Sequence, residues 1–342
     1  MPVLRSRLKA QAPASFTPVT TDFVQQAVES LGAIVEREYM DAAVGAQVQQ
    51  QLRARLAAGR YNEGGKLEDL ARLLTADLYS LTKDKHLAVS TIPVPVPGAA
   101  TAASAQESRE VRARRFNFGM QRVEVLSGNV GYLNITGFER AELAREAISL
   151  AMGMLRHADA LIVDLRVNGG GAPDGVALVA SYFFEQPSLA LFEIIPRSGS
   201  SGKEYRTEAR TLPGGQGSRP MYVLTAASTF SAGEGLAFLL QERGRAEVVG
   251  ETTAGAANPG RPYPINERLQ VTVPNGKVRS AVKRGNWEGT GVIPDVKAPA
   301  IKALAVAHTR ALSKLIEAAP VGPWRARLEA EFKAIGGSTS ER

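Results

Sequence analysis

The segment Thr225–Glu234, TAASTFSAGE, places Ser231 between an apolar run (Met221–Thr225) and a stretch that reads as a helix (Gly233–Glu242). A serine at a strand-to-helix turn can hold its hydroxyl clear of both elements. The unpaired N–H groups of the first helical turn can then face a developing oxyanion. Such an arrangement suits acyl transfer. The same serine also reads as an ordinary helix N-cap, so the segment by itself leaves nucleophile and cap both open.

A serine nucleophile needs a base, and the chain offers three histidines: His86, His157 and His308. His157 closes a predicted helix, where a cation suits the dipole, and His308 stands among alanines near the C-terminus. Both read as structural. His86 follows Lys83-Asp84-Lys85 at a helix-to-strand junction, an edge position where functional side chains collect; it reads equally as a surface histidine. Among the acids, Glu234 falls in the first turn of the serine's own helix and reads as a capping-box partner. Glu288 lies in the glycine-containing loop Trp287–Val292, WEGTGV, either as a carboxylate that orients an imidazole or as an exposed loop residue. Asp164–Gly171, DLRVNGGG, ends an apolar strand in a glycine run whose backbone can approach a ligand closely. Neither GxxxxGK[ST] nor GxGxxG spacing is present, which argues against a nucleotide site.

The elements that must position these residues follow from periodicity. Phe23–Met40, Ala42–Ala58 and Leu67–Leu81 carry apolar residues at three- and four-residue steps and predict a small helical bundle. His86–Ile92 alternates as a strand. Residues 93–115 are expected as a loop or linker, Phe116–Leu126 as a strand pair, and Val130–Ile135 as a strand. Ala141–Leu155 then reads as an amphipathic helix. Ala160–Leu165 is uninterrupted apolar, as in a strand covered on both faces. A helix at 175–184, a strand at 191–195 and loops through Arg219 lead to the serine segment, after which Ala246–Gly250 is a strand. Leu269–Pro274 and Lys277–Lys283, divided by Asn275-Gly276, carry a hairpin signal. Two helices, Leu304–Leu315 and Trp324–Phe332, close the chain. The predicted organisation is a flexible 1–17, a helical unit 18–92 carrying His86 at its end, the linker 93–115, an α/β domain 116–335, and a flexible tail 336–342.

The 342 residues, 44% hydrophobic and 22% charged, fit a globular chain with a sizeable core. No cysteine is present, which excludes disulfides, thiolate metal sites and a cysteine nucleophile. The net charge of +7 is scattered, densest at Arg109–Arg115, and no basic strip interleaved with aromatics or zinc-finger spacing points to nucleic acid. No apolar run has membrane-span length, so stable membrane insertion is not expected. The N-terminus lacks the apolar core of a secretory signal, although AQAPAS resembles the small-residue stretch near a cleavage site. The compartment is periplasmic or secreted if a leader has been removed, and otherwise cytoplasmic.

DLRVNGGG, TFSAGE, VVGETTAG (Val248–Gly255) and GTGVIPDV (Gly289–Val296) occur in that order. Together they resemble the tail-specific, C-terminal-processing serine peptidases, in the branch of tricorn protease and the interphotoreceptor retinoid-binding protein modules. The resemblance covers 130–296 and extends to the helical front end and its DKHLAV segment. It implies a mixed, mostly parallel α/β sheet with crossover helices (a crotonase-like, ClpP-like core) behind a small helical bundle. Residue by residue, it implies Ser231 as nucleophile, His86 as base, Glu288 as the orienting acid, and an oxyanion hole from the N–H groups of Gly170 and Ala232. Gly169, Gly171 and Thr253 are expected to bind substrate, and no cofactor or metal is expected. Two positions depart from the family: Ala256 stands where many members have a lysine base, and Lys85 stands where tricorn has a serine. The stretch from His86 to residue 116 is also too short for a PDZ domain of about a hundred residues. The implied activity is hydrolysis of unfolded or short peptides. The rival functions are a binding module for retinoids or fatty acids, which rests on the retinoid-binding resemblance and the apolar front end, and an esterase using the same residues. Oligomeric state is not readable.

Overall fold

The computed structural model describes residues 19–61, 65–92, 109–209 and 219–339. At the front, α1 (Thr21–Glu38), α2 (Ala42–Ala57) and α3 (Leu67–Thr82) form the expected bundle. The Thr20 hydroxyl accepts the Phe23 N–H and the Asp41 carboxylate accepts those of Ala43 and Val44, so both caps satisfy helix donors. Lys83, at φ 60°, ends α3 in a left-handed turn.

The bundle's apolar stripe, including Val28, Leu31, Val35, Leu74 and Leu78, does not stay within the bundle. It packs on β1 (Ala88–Thr91) and on Leu269, Val271 and Val273 of β10 (Leu269–Pro274). β10 stands between β1 and β9 (Gly260–Pro264), antiparallel to both. The front end is therefore sealed by strands from the far end of the chain. The apolar surface on which a lipid-binding module was premised is covered by this sheet.

The main sheet runs β12-β8-β7-β4-β3-β2, from β2 (Met120–Leu126), β3 (Val130–Ile135), β4 (Ala160–Asp164), β7 (Met221–Thr225), β8 (Glu247–Gly250) and β12 (Val296–Lys297). Only β2 is antiparallel to its neighbour. Strand periodicity divides the buried side chains between two cores. Leu133, Leu161, Val163 and Val223 pack toward α5 (Ala141–Met154), α6 (Pro173–Ala180) and α7 (Ala232–Glu242). Tyr132, Ile162, Tyr222 and Leu224 pack toward α8 (Ala300–Ala318) and α9 (Pro323–Thr339). Burial on both faces explains why these strands read as continuous apolar runs. A third sheet, β11-β5-β6, joins β5 (Ala190–Pro196), β6 (Lys203–Arg206) and β11 (Gly276–Ser280). Among the described residues no helix is long and apolar enough to cross a membrane.

Five expectations are corrected. The Asn275-Gly276 hairpin does not form: β10 pairs with β1 and β9 while β11 pairs with β5, so the chain changes sheets at that dipeptide. Residues 109–115 of the expected linker are a helix, α4 (Arg109–Arg115), braced by an Arg114–Glu110 ion pair one turn apart; residues 93–108 lie outside the described part. Phe116–Leu126 is one short 3₁₀ turn and one strand. The loop region before Arg219 contains β6, and α9 continues through residues 336–339 of the expected tail. The predicted flexible 1–17 and residues 340–342 lie outside the described residues.

Candidate active site

The C-terminal ends of the adjacent parallel strands β4 and β7 deliver the glycine run and Ser231 to one edge of the sheet, where ligands of open α/β sheets collect. Ser231 has φ 52° and ψ −118°, a conformation that costs a non-glycine residue of order 1–3 kcal/mol. Its backbone N–H donates to Glu234 Oε2 at 2.8 Å. Glu234 does more than the expected capping. Although fully buried, its carboxylate also accepts the Thr253 hydroxyl (2.6 Å), the Gly255 N–H (2.5 Å) and the Ala256 N–H (3.0 Å). Burial pushes its pKa up and these donors hold it down, with burial the larger effect. One carboxylate thus ties the serine turn to the 253–256 loop.

Asn168 is the second tie. It is fully buried, its amide donates to the Ile135 carbonyl, and its own carbonyl accepts the Phe230 N–H. Asn168 Oδ1 also accepts the Gly170 N–H at 2.8 Å. The expected Gly170 oxyanion donor is therefore already engaged. The N–H of Gly171, in contrast, makes no hydrogen bond among the described residues. Gly171 and Ala232, the latter in the unpaired first turn of α7, line the same cavity as the serine. Gly170 (φ 98°) has a different necessity: a Cβ there would stand 2.8 Å from Ser231 Cβ.

His86 comes to the same edge. Its ring lies 4.7 Å from that of Phe230, the residue before Ser231, tilted by 58°. Burial pushes the imidazole down to about 4, so at neutral pH it is uncharged and can accept a proton. Its Nδ1 is buried without a hydrogen-bond partner. The preceding turn is held by Asp84, whose Oδ1 accepts the His86 N–H and whose Oδ2 accepts the Tyr39 hydroxyl. Burial, followed by the charge of Glu288, raises Asp84 to about 6. Lys85 Nζ reaches across to the Ala254 carbonyl and links the histidine segment to the serine domain.

The expected Glu288–His86 pairing is not formed. Glu288 Oε2 instead accepts the N–H groups of Ala257 (2.7 Å) and Asn258 (3.0 Å). Thr253, expected to bind substrate, is spent internally. It is 6% exposed, donates to Glu234 and accepts the Val292 N–H. Gly169 and Gly171, the other expected substrate-binding positions, are exposed. Ala256 is fully buried under Trp287, whose indole N–H donates to its carbonyl, so nothing there can act as a lysine base. His157 is on the surface beside Arg156, and the ring of buried His308 meets the Ser127 carbonyl. Sequence reasoning missed Asn168 as an anchor. Its signal was an amide residue directly before three glycines, at a strand end. Among the described residues no group of three or more histidines and carboxylates gathers as a metal site would.

An apolar cavity is lined by Ser231 and Ala232, by Gly235, Phe238 and Leu239 of α7, and by Val278 and Trp287. A nucleophile at the mouth of an apolar slot can take one side chain of a substrate while attacking the adjoining carbonyl.

Comparison with known proteins agrees with this layout. The peptidase family S41 model matches residues 129–298, and the model of the N-terminal domain of that family in eukaryotic interphotoreceptor retinoid-binding protein matches 18–118. The carboxy-terminal processing proteases CtpB and CtpA of Bacillus subtilis are each 26% identical, over 48% and 51% of this chain. The matches cover 32% and 36% of those proteins, so the chain spans about a third of the curated relatives it matches. The structure of mature CPAF superposes over 85% of this chain and 96% of its own, with a TM-score of 0.55 at 13% identity, a likeness of fold. With one model over the α/β core and the other over the helical front end, the chain belongs to peptidase family S41, the serine peptidases its motifs resemble.

Proposed function

We propose that the protein is a serine peptidase in which Ser231 attacks the scissile carbonyl and His86 takes the hydroxyl proton. In this reading Glu288, whose Oε2 accepts the Ala257 and Asn258 N–H groups in the structure, turns to the buried, unpartnered His86 Nδ1–H and stabilises the imidazolium. The tetrahedral oxyanion sits against the N–H groups of Ala232 and Gly171, with Gly170 serving for close approach. Each donor is worth roughly 3 kcal/mol of barrier. His86 then returns its proton to the leaving amine, and water, deprotonated by the same imidazole, releases the acyl group.

The observation behind this proposal is the Ser231 backbone. A strained serine at a strand-to-helix turn, held by a buried carboxylate and open to an apolar slot, serves no purpose as a plain cap. Short or unfolded peptides are the proposed substrates. The carboxy-terminal processing named for the Bacillus subtilis relatives makes protein C-termini the first to try. A fluorophosphonate probe with mass spectrometry of the adduct tests the mechanism. Labelling is expected at Ser231 and lost in Ser231→Ala and His86→Ala; folded protein without an adduct, or full-rate labelling of His86→Ala, refutes it.

A further inference from the structure

The slot beside Ser231 is not lined by hydrocarbon alone. Glu242, the last residue of α7, lines it together with Ser280, whose hydroxyl lies 2.8 and 2.6 Å from the two carboxylate oxygens. Among the described residues that hydroxyl is the only side chain hydrogen-bonded to Glu242, and no cation forms an ion pair with it. The neighbouring Arg243 feels the Glu242 charge but makes no ion pair with it: its Nη2 donates to the Ala190 carbonyl and its guanidinium lies over the Phe184 ring. A carboxylate on the wall of a mostly apolar cavity, hydrogen-bonded by one neutral side chain and without an ion pair, favours a cation.

Length and volume narrow the occupant. Glu242 follows Ser231 by eleven helical positions, roughly 16 Å along the axis, and helical side chains lean back toward the N-terminus and shorten that path. The cavity holds about 60 Å³, space for roughly four to six water-sized groups. An unbranched side chain with an apolar stem and a charged tip fits this shape; a short or branched one leaves the carboxylate unpaired.

We infer that this slot is a specificity pocket for a long basic side chain, lysine above all, with Glu242 as its counter-ion. The inference rests on the proposed peptidase function for its location but not for its test. Binding is measured by fluorescence anisotropy on the Ser231→Ala protein, with labelled peptides identical except for one lysine, norleucine or glutamate. The lysine peptide is expected to bind about tenfold more tightly than the norleucine peptide, with glutamate weakest. Adding Glu242→Gln should equalise lysine and norleucine. Glu242→Asp, which retracts the carboxylate but keeps its charge, should move the preference toward arginine and provides a second variant should the glutamine form fail to fold. Equal lysine and norleucine affinities, a lysine preference that survives Glu242→Gln, or no binding of any of the three overturns the inference. If the wild-type protein cleaves none of the peptides while the variant binds them in this order, hydrolysis is refuted and the pocket stands.

Discussion

Glu234→Gln isolates the buried carboxylate that holds the serine turn. In the wild type Oε1 accepts from the Thr253 hydroxyl and the Gly255 N–H, and Oε2 from the N–H groups of Ser231 and Ala256. Glutamine keeps one acceptor oxygen and turns an NH₂ toward the other pair, so two hydrogen bonds to a charged acceptor are lost, roughly 1.5–3 kcal/mol each. One effect opposes this. Burial raises the Glu234 pKa, so its charge costs stability at neutral pH, and the amide does not bear that cost. The net expectation is a loss of about 3 kcal/mol, or roughly 6–12 °C in melting temperature. Chemical denaturation at pH 7.5, followed by circular dichroism, measures it. Below the variant's melting range, fluorophosphonate labelling of Ser231 should slow by about tenfold or more, because the strained serine loses its anchor. A variant that melts within about 2 °C of wild type and labels at the same rate refutes the idea that Glu234 positions the nucleophile.

Two further predictions concern the same edge of the sheet. Gly171→Ala should destabilise by about 3 kcal/mol or more, since its Cβ would meet the Phe138 carbonyl oxygen at 2.1 Å and φ is 132°; a thermal melt indistinguishable from wild type contradicts this. Asp84 has a folded pKa raised to about 6, so its contribution to stability is full below the unfolded carboxylate range and is lost as pH rises through 6. The effect of Asp84→Asn on unfolding free energy should therefore be more favourable at pH 8 than at pH 4, by about 2.5 kcal/mol. Urea titrations at the two pH values that give equal differences would show that burial does not perturb Asp84.

What the sequence disclosed was set by how local its causes are. β4 and β7 were legible because burial on both faces writes an unbroken apolar run, and α1–α3 because one face of each is buried. The placement of Ser231 at a strand-to-helix turn followed from those runs alone. Asn275-Gly276 misled because a turn-prone dipeptide specifies a bend but not the partners of its strands, and here the partners are β1 and β5, far away in the chain. The Gly170 N–H was assigned to an oxyanion hole, but a side chain two residues earlier folds back to take it; an amide residue before three glycines signals an anchor without saying which N–H it claims. Thr253 failed similarly, since a threonine near a glycine looks exposed until the buried Glu234 claims its hydroxyl. Glu234 itself was visible only as a helix-start acid, because three of its four donors come from residues 19 or more positions away and the fourth is the serine backbone it was thought merely to cap.

The pairing of β1 with β10 ties the histidine's segment to residues 269–272. During synthesis from the N-terminus, the front helices and His86 emerge long before the strand that covers them. Ser231 also leaves the ribosome ahead of that strand and of Glu288. On the proposed mechanism, the nascent chain carries Ser231 and His86 before β10 exists to tie the histidine's segment into the sheet. On that reading a growing polypeptide stays safe from itself until residues 269–272 have been made, and cutting power comes only with the strand that fastens the histidine.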